Sequence, residues 1–225
     1  MISLDSNLGT DQLISRIKQL AASSDSFFVI VGGCVPALYL LDKNSSLAPR
    51  PTVDIDIATK DPGIGREIVS SHRGLDVQAL CPEHLADGVP GVSFLPDVEL
   101  AFEDFREIAL ADNLTVRVAS PLAFFVLKLN RARRTRYKRG SDLYDLLLVA
   151  QVFGAGEIAR AFRDNWHLPA VKRGLSNLRW LIGAETSPGF ASLFEEMNLD
   201  DDFYGQMSAT AVLKELLHLL IELQE

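Results

Sequence analysis

Residues 28–40 read Phe28-Val29-Ile30-Val31-Gly32-Gly33-Cys34-Val35-Pro36-Ala37-Leu38-Tyr39-Leu40, and residues 50–57 read Arg50-Pro51-Thr52-Val53-Asp54-Ile55-Asp56-Ile57. The continuous apolar, β-rich run from Phe27 stops at Gly32-Gly33, the pattern of a buried strand ending in a tight turn. Residues 34–42 then continue as an almost wholly apolar helix. A strand that ends in two glycines ahead of a helix offers backbone N–H groups and a positive helix terminus, where a phosphate can approach closely. In the second stretch the alternation is strict, with Val53, Ile55 and Ile57 on one face and Asp54 and Asp56 on the other. Two such carboxylates lie about 6.5–7 Å apart along the backbone. They can converge on one divalent ion or bridge two, and their oxygens suit Mg²⁺ (or Mn²⁺) with substrate phosphates completing the shell. The competing reading is the wet face of an edge strand.

Outward from this core, Leu13, Ile14, Ile17 and Leu20 recur at helical spacing and predict a helix over 10–22, capped by Thr10. Residues 43–51 read as a loop. Asp61-Pro62-Gly63 closes the acidic strand and opens a helix to about Ser71. Short strands are predicted at 77–80, 92–95, 98–102, 107–110 and 114–118, separated by Gly, Pro and Asn breaks. At Ser120-Pro121 the character changes: a serine cap with proline at the first helical position starts a long helix. Helix follows helix from there, the last at about 209–224 with Leu213, Leu216, Leu217, Leu220 and Leu223 on one face. The expectation is an α+β chain. Its mixed sheet and attendant helices occupy 1–119 and an all-helical region occupies 120–225, with the active site in the cleft between them.

The chain has 225 residues, of which 48% are hydrophobic and 23% charged, the balance of an ordinary soluble globular protein. No apolar run reaches the ~18 residues that span a bilayer, and the N-terminus lacks a secretory pattern. A cytoplasmic protein with no membrane partner is expected, with Cys34 and Cys81 as reduced thiols. The four histidines are scattered without zinc spacing, and no serine stands in a nucleophile elbow. The net charge of −8 repels nucleic acid over the surface as a whole. Residues 131–139 reverse it locally, with Arg131, Arg133, Arg134, Arg136, Lys138 and Arg139 giving six positive charges in nine residues.

The two quoted stretches resemble the DNA polymerase β-type nucleotidyltransferases, and within them the AbiEii-like toxins of type IV toxin–antitoxin systems. The resemblance is carried by Gly32 and Gly33, by the Arg50 and Thr52 lead-in, and by Asp54 and Asp56. Twenty residues separate Gly33 from Asp54, longer than the compact superfamily pattern and compatible with the longer loops of the AbiEii-like branch. The resemblance continues downstream in a lysine within a Lys128-Leu129 helix, an arginine-rich turn and Asp142-Leu143-Tyr144-Asp145-Leu146. It departs at Gly140-Ser141, where relatives commonly place Arg or Lys directly before the first aspartate.

What the resemblance implies is transfer of a nucleoside monophosphate from a nucleoside triphosphate (NTP) to an acceptor hydroxyl, a tRNA 3′ end or a protein. The chain would then be the toxin of a toxin–antitoxin pair, with a cognate antitoxin as partner. Asp54 and Asp56 would hold Mg²⁺, and Gly32 and Gly33 would receive the phosphates beside Arg50 and Thr52. Lys128 would offset phosphate charge, and Asp142 or Asp145 would act in or organise the site. Read from the residues alone, Lys128 is as consistent with a snorkelling lysine, and Ser141 or Asp142 with a helix cap. The superfamily's third carboxylate falls on Glu99 in a Val98-Glu99-Leu100 strand, with Asp97 competing. Arg136 and Lys138 are candidates for holding triphosphate or RNA backbone. Two other readings fit these residues: a catalytically silent relative that binds nucleotide or a partner, and an antibiotic-modifying nucleotidyltransferase.

Overall fold

The computed structural model describes residues 5–82, 89, 91–111, 113–184, 186–199 and 202–222, with backbone alone at 5–8 and 203. The chain divides into two compact units, Met1–Phe124 and Phe125–Glu225. The division falls inside a helix, a few residues beyond the boundary expected at Ser120-Pro121. The fold is α+β, a mixed sheet with helices followed by a helical region.

The first unit is built on six strands: β1 (Val29–Val31), β2 (Ile55–Ala58), β3 (Val77–Cys81), β4 (Val92–Phe94), β5 (Phe105–Ala111) and β6 (Leu114–Ala119). Their spatial order is β4-β3-β2-β1-β6-β5. β1 runs antiparallel to β2 and parallel to β6. β3 is parallel to both β2 and β4, and β5 and β6 form an antiparallel hairpin. The apolar run at β1 is explained by its place: it is central, and all three residues are buried. The acidic strand is not an edge either, because β2 lies between β1 and β3. Ile55 and Ile57 are fully buried on its core face, so the edge-strand reading is removed for Asp56; the strand begins at Ile55 and not at Val53 as expected, and Val53 is exposed.

Among the described residues four helices accompany the sheet: α1 (Asp5–Ser23), α2 (Val35–Asp42), α3 (Pro62–Ser71) and the short α4 (Leu100–Glu103). In α1 the predicted stripe of Leu13, Ile17 and Leu20 is buried, but the helix begins before Thr10, which therefore does not cap it. Asp61 does cap α3, its carboxylate accepting from the Gly63 and Ile64 N–H groups at 2.6 and 3.4 Å. The strand expected over 98–102 is corrected to a turn leading into α4. Val98, Leu100, Ala101 and Phe102 are all buried. Over five residues such a pattern suits a single helical turn as well as a strand, and the left-handed φ of 65° at Asp97 breaks any ladder before it.

The helix α5 (Pro121–Arg134) opens as expected, with the Ser120 hydroxyl accepting from the Ala123 N–H at 3.1 Å. A 3₁₀ turn (Arg136–Lys138) leads to α6 (Arg139–Phe153). After it come α7 (Ala155–Asp164), α8 (Pro169–Ile182), α9 (Pro188–Glu196) and α10 (Phe203–Glu222). The last begins earlier than expected, and Leu223 lies outside the described residues. The second unit is cored by Phe125 and Phe162, edge to face at 6.4 Å, with Leu143, Leu146, Leu178, Leu193, Leu213 and Leu216 buried around them. The Gly140-Ser141 departure has a packing cause here. A Cβ on Gly140 would stand 2.3 Å from the Ser192 carbonyl oxygen, so only glycine lets α6 and α9 approach this closely. Among the described residues, no helix is long and apolar enough to cross a membrane.

Candidate functional site

In the first unit β1 ends at Val31, which pairs with Asp56 on β2. The chain then turns through a 3₁₀ segment, Gly32–Cys34, whose first carbonyl accepts from the Val35 N–H as α2 begins. Gly32 has φ +75°, and a Cβ built on it would meet Asp56 Oδ2 at 1.9 Å. The Asp56 carboxylate therefore occupies the space that any side chain at residue 32 would need. A Cβ on Gly33 would stand 3.0 Å from Arg50 Nη2 and 3.2 Å from Thr52 Oγ1. Arg50 also donates to the Pro51 carbonyl at 3.2 Å. Two stretches separated in sequence by a loop thus meet at the glycine pair, bringing together Gly32, Gly33, Arg50, Thr52 and Asp56.

Asp54 stands just ahead of β2, half-buried like Asp56. A residue missed in the sequence holds this approach in place. Arg16 on α1 donates to the Val53 carbonyl at 2.6 Å, to the Leu75 carbonyl, and to Asp76 at 3.0 Å. Its signal was present, since a charged residue stood beside Leu13, Ile17 and Leu20 on an apolar stripe with no purpose assigned. Glu99 does not join the pair as a strand residue. It is exposed and precedes α4, so the third-carboxylate expectation on a Val98-Glu99-Leu100 strand is withdrawn. Among the described residues no cluster of three or more His, Cys, Asp or Glu side chains is placed to hold a metal. The donor set at Asp54 and Asp56 is two hard carboxylates, one of which lies against the Gly32 turn. That fits an ion that takes one or two carboxylates and leaves its other positions to phosphates and water.

Gly32→Ala is expected to destabilise the protein by roughly 2–5 kcal/mol. A left-handed φ costs a non-glycine residue about 1–2 kcal/mol, and displacing the Asp56 carboxylate adds a cost of the overpacking kind, about 1–3 kcal/mol. Urea unfolding measures it.

The second unit gathers the downstream residues, but around each other. Lys128 on α5 is 3% exposed, and its ammonium donates to Asp142 Oδ1 at 3.0 Å and Asp145 Oδ2 at 2.6 Å. Asp142 and Asp145 are 0% and 1% exposed and share one face of α6, as their i, i+3 spacing requires. Arg131, one helical turn beyond Lys128, grips Asp142 through Nε, 2.9 and 3.2 Å from its two oxygens, and through Nη2. Burial alone would raise the Asp142 carboxyl, but Lys128 and Arg131 outweigh it and hold the group below the usual carboxylate range. The helix begins at Arg139, so neither Ser141 nor Asp142 caps it, and the Ser141 hydroxyl donates back to the Lys138 carbonyl at 3.0 Å. Lys128 is thus neither a snorkelling lysine nor an exposed phosphate ligand, being buried and charge-paired. Asp142 and Asp145 are equally enclosed.

The basic run divides by helical phase. Arg131 turns inward to Asp142, while Arg133, Arg134, Arg136 and Lys138 are exposed. Cys34 and Cys81 are both buried and form no disulfide with each other. No family model, no curated protein and no solved structure matches the chain.

Proposed function

We propose that the chain is a metal-dependent nucleotidyltransferase that moves a nucleoside monophosphate from an NTP to an acceptor hydroxyl. One observation carries this reading: the Asp56 carboxylate lies against Gly32 on an interior strand while Arg50 and Thr52 meet Gly33. In this reading the two glycines, which lack Cβ atoms, let nucleotide phosphates close on the backbone N–H groups of the turn ahead of α2. Arg50 supplies a fixed guanidinium beside them. Asp54 and Asp56 would hold Mg²⁺, which when bound would neutralise phosphate charge. The acceptor oxygen bonds to the α-phosphorus, its proton passes to solvent, and pyrophosphate leaves as its bond to that phosphorus breaks. Arg16, through the Val53 carbonyl, positions Asp54. The acceptors to be tested are a tRNA 3′ end and protein hydroxyls, as for a toxin with a cognate antitoxin.

The test is incubation with each α-labelled NTP and Mg²⁺ in the presence of total tRNA or of cell protein. Label is expected in one acceptor pool with the wild type and in none with Asp56→Ala. Equal labelling by the two proteins would remove Asp56 from the chemistry. A second reading, a silent nucleotide-binding or partner-binding relative, is favoured by the enclosure of Lys128 and by the exposed Glu99 in the turn ahead of α4. It would be supported by NTP binding without labelling of any acceptor.

A further inference from the structure

We propose that the helical unit carries a binding surface for single-stranded nucleic acid, formed by the outward half of the basic run together with Trp180 and Tyr137. This goes beyond the reading of the first unit and does not depend on it.

The sequence showed one aromatic in the run, which falls short of a stacking array. The fold adds the second. The Arg133 guanidinium lies 3.7 Å from the centre of the Trp180 ring, and that of Arg139 lies 4.9 Å from it. A guanidinium laid on an indole keeps its in-plane N–H edges for an anion while the ring restricts its motion. Trp180 remains 39% exposed and Tyr137 is 85% exposed, a wide departure from burial for two rings of this size. Arg139 joins the two, because it also lines, with Arg136 and Tyr137, a groove of about 870 Å³ against α9.

The electrostatics of this face point to an anion. Arg139 is nearly buried, and its charge is disfavoured first by burial and then by Arg136 and Arg133 beside it. Like charges crowded in this way repel one another, and a polyanion laid across them would relieve that repulsion. The far wall of the groove carries Glu195 and Glu196. A phosphate backbone is therefore confined to the arginine side, where Trp180 holds Arg133, and its bases turn toward Tyr137. Phosphates at cation spacing with flat faces beside them are the chemistry of an unpaired strand. An acidic peptide offers the charges without the stacked rings, and a duplex hides its base faces.

The experiment is fluorescence anisotropy with a short labelled oligoribonucleotide of mixed sequence, without NTP or Mg²⁺, across a series of salt concentrations. The same sequence as DNA and as a duplex forms separate arms, with inorganic polyphosphate as competitor. Tyr137→Ala, at a fully accessible position, should weaken single-strand binding about ten-fold with its salt slope unchanged. Arg133→Ala/Arg134→Ala/Arg136→Ala should flatten the slope of log K against log salt by about 2. Circular dichroism shows that each variant is folded. Preference for the ribonucleotide strand, or equal binding of both strands, identifies the ligand as RNA or as any single strand. An unchanged slope in the triple variant overturns the proposal. So does an unchanged affinity in Tyr137→Ala, or a duplex or polyphosphate that binds as well as the strand. Asp56→Ala should bind the strand as wild type does, so a failure here leaves the transferase reading standing, and the converse holds.

Discussion

Asp142→Ala is expected to destabilise the protein by about 3–5 kcal/mol, the range seen when one partner of a buried ion pair is removed. The wild-type arrangement balances two cations against two carboxylates, with only Arg131 reaching solvent appreciably. Without Asp142, Lys128 loses one of its two ion pairs within a buried core, and Arg131 loses its contacts to both carboxylate oxygens. Replacing Lys128, Asp142 and Asp145 together by Met, Leu and Leu should recover most of the loss, because the desolvation cost then disappears with the charges. Urea midpoints with unchanged slopes would show that the folded state carries the effect.

Acid should act on the same carboxylate. The folded Asp142 group lies below its ordinary value of about 3.9. Below that value the unfolded chain therefore binds a proton more readily than the folded one. The contribution of Asp142 to stability is present above about pH 5 and is lost as the pH falls through the unfolded and then the folded value. Asp142→Asn should remove this part of the acid limb. An unfolding curve between pH 3 and 5 of the same steepness in both proteins (a window of roughly two units about the carboxylate value) would exclude Asp142 as its source.

Asp56→Ala is the second large effect. If Asp56 holds the ion on which transfer depends, its loss should lower the rate about a thousand-fold, near 4 kcal/mol of barrier at about 1.36 kcal/mol per ten-fold. Stability should move little by comparison. Asp56 is half-buried, and β2 keeps its ladder through backbone groups. A fall in both rate and stability of similar free energy would make Asp56 structural. Asp54→Ala is a useful companion, since Asp54 lies outside the ladder and its loss tests the ion without touching the sheet.

The sheet and the glycine turn were legible in the sequence because strong local patterns coincided with tertiary need. The apolar run from Phe28 to Val31 is buried and supplies the central strand, while Phe27 ahead of it stays exposed. The Asp61 cap and the Ser120-Pro121 helix start were legible for a similar reason, being chemistry of adjacent residues. Where the pattern was short, the periods of strand and helix could not be separated, and residues 98–102 went to a helix. The grouping of Lys128 with Asp142 and Asp145 was readable from order and spacing, but their mutual enclosure was not, because burial is decided by helices far away in the chain. Arg16 and Trp180 were missed for a related reason. Each acts on a segment about 40 residues distant, Arg16 on Val53 and Trp180 on Arg139, and no local window contains both ends.

Asp56 is tied on both sides, through Val31 and Gln78, whereas Asp54 has a neighbour in neither ladder. Hydrogen–deuterium exchange separates the two. The β2 amides should exchange only with opening of the whole sheet, and the backbone around Asp54 far sooner. The two carboxylates are thus fixed by different means, Asp56 by the strand ladders and Asp54 by a helix side chain, through Arg16 on the Val53 carbonyl. Loss of Arg16 should then free the Asp54 segment while leaving the sheet unmoved.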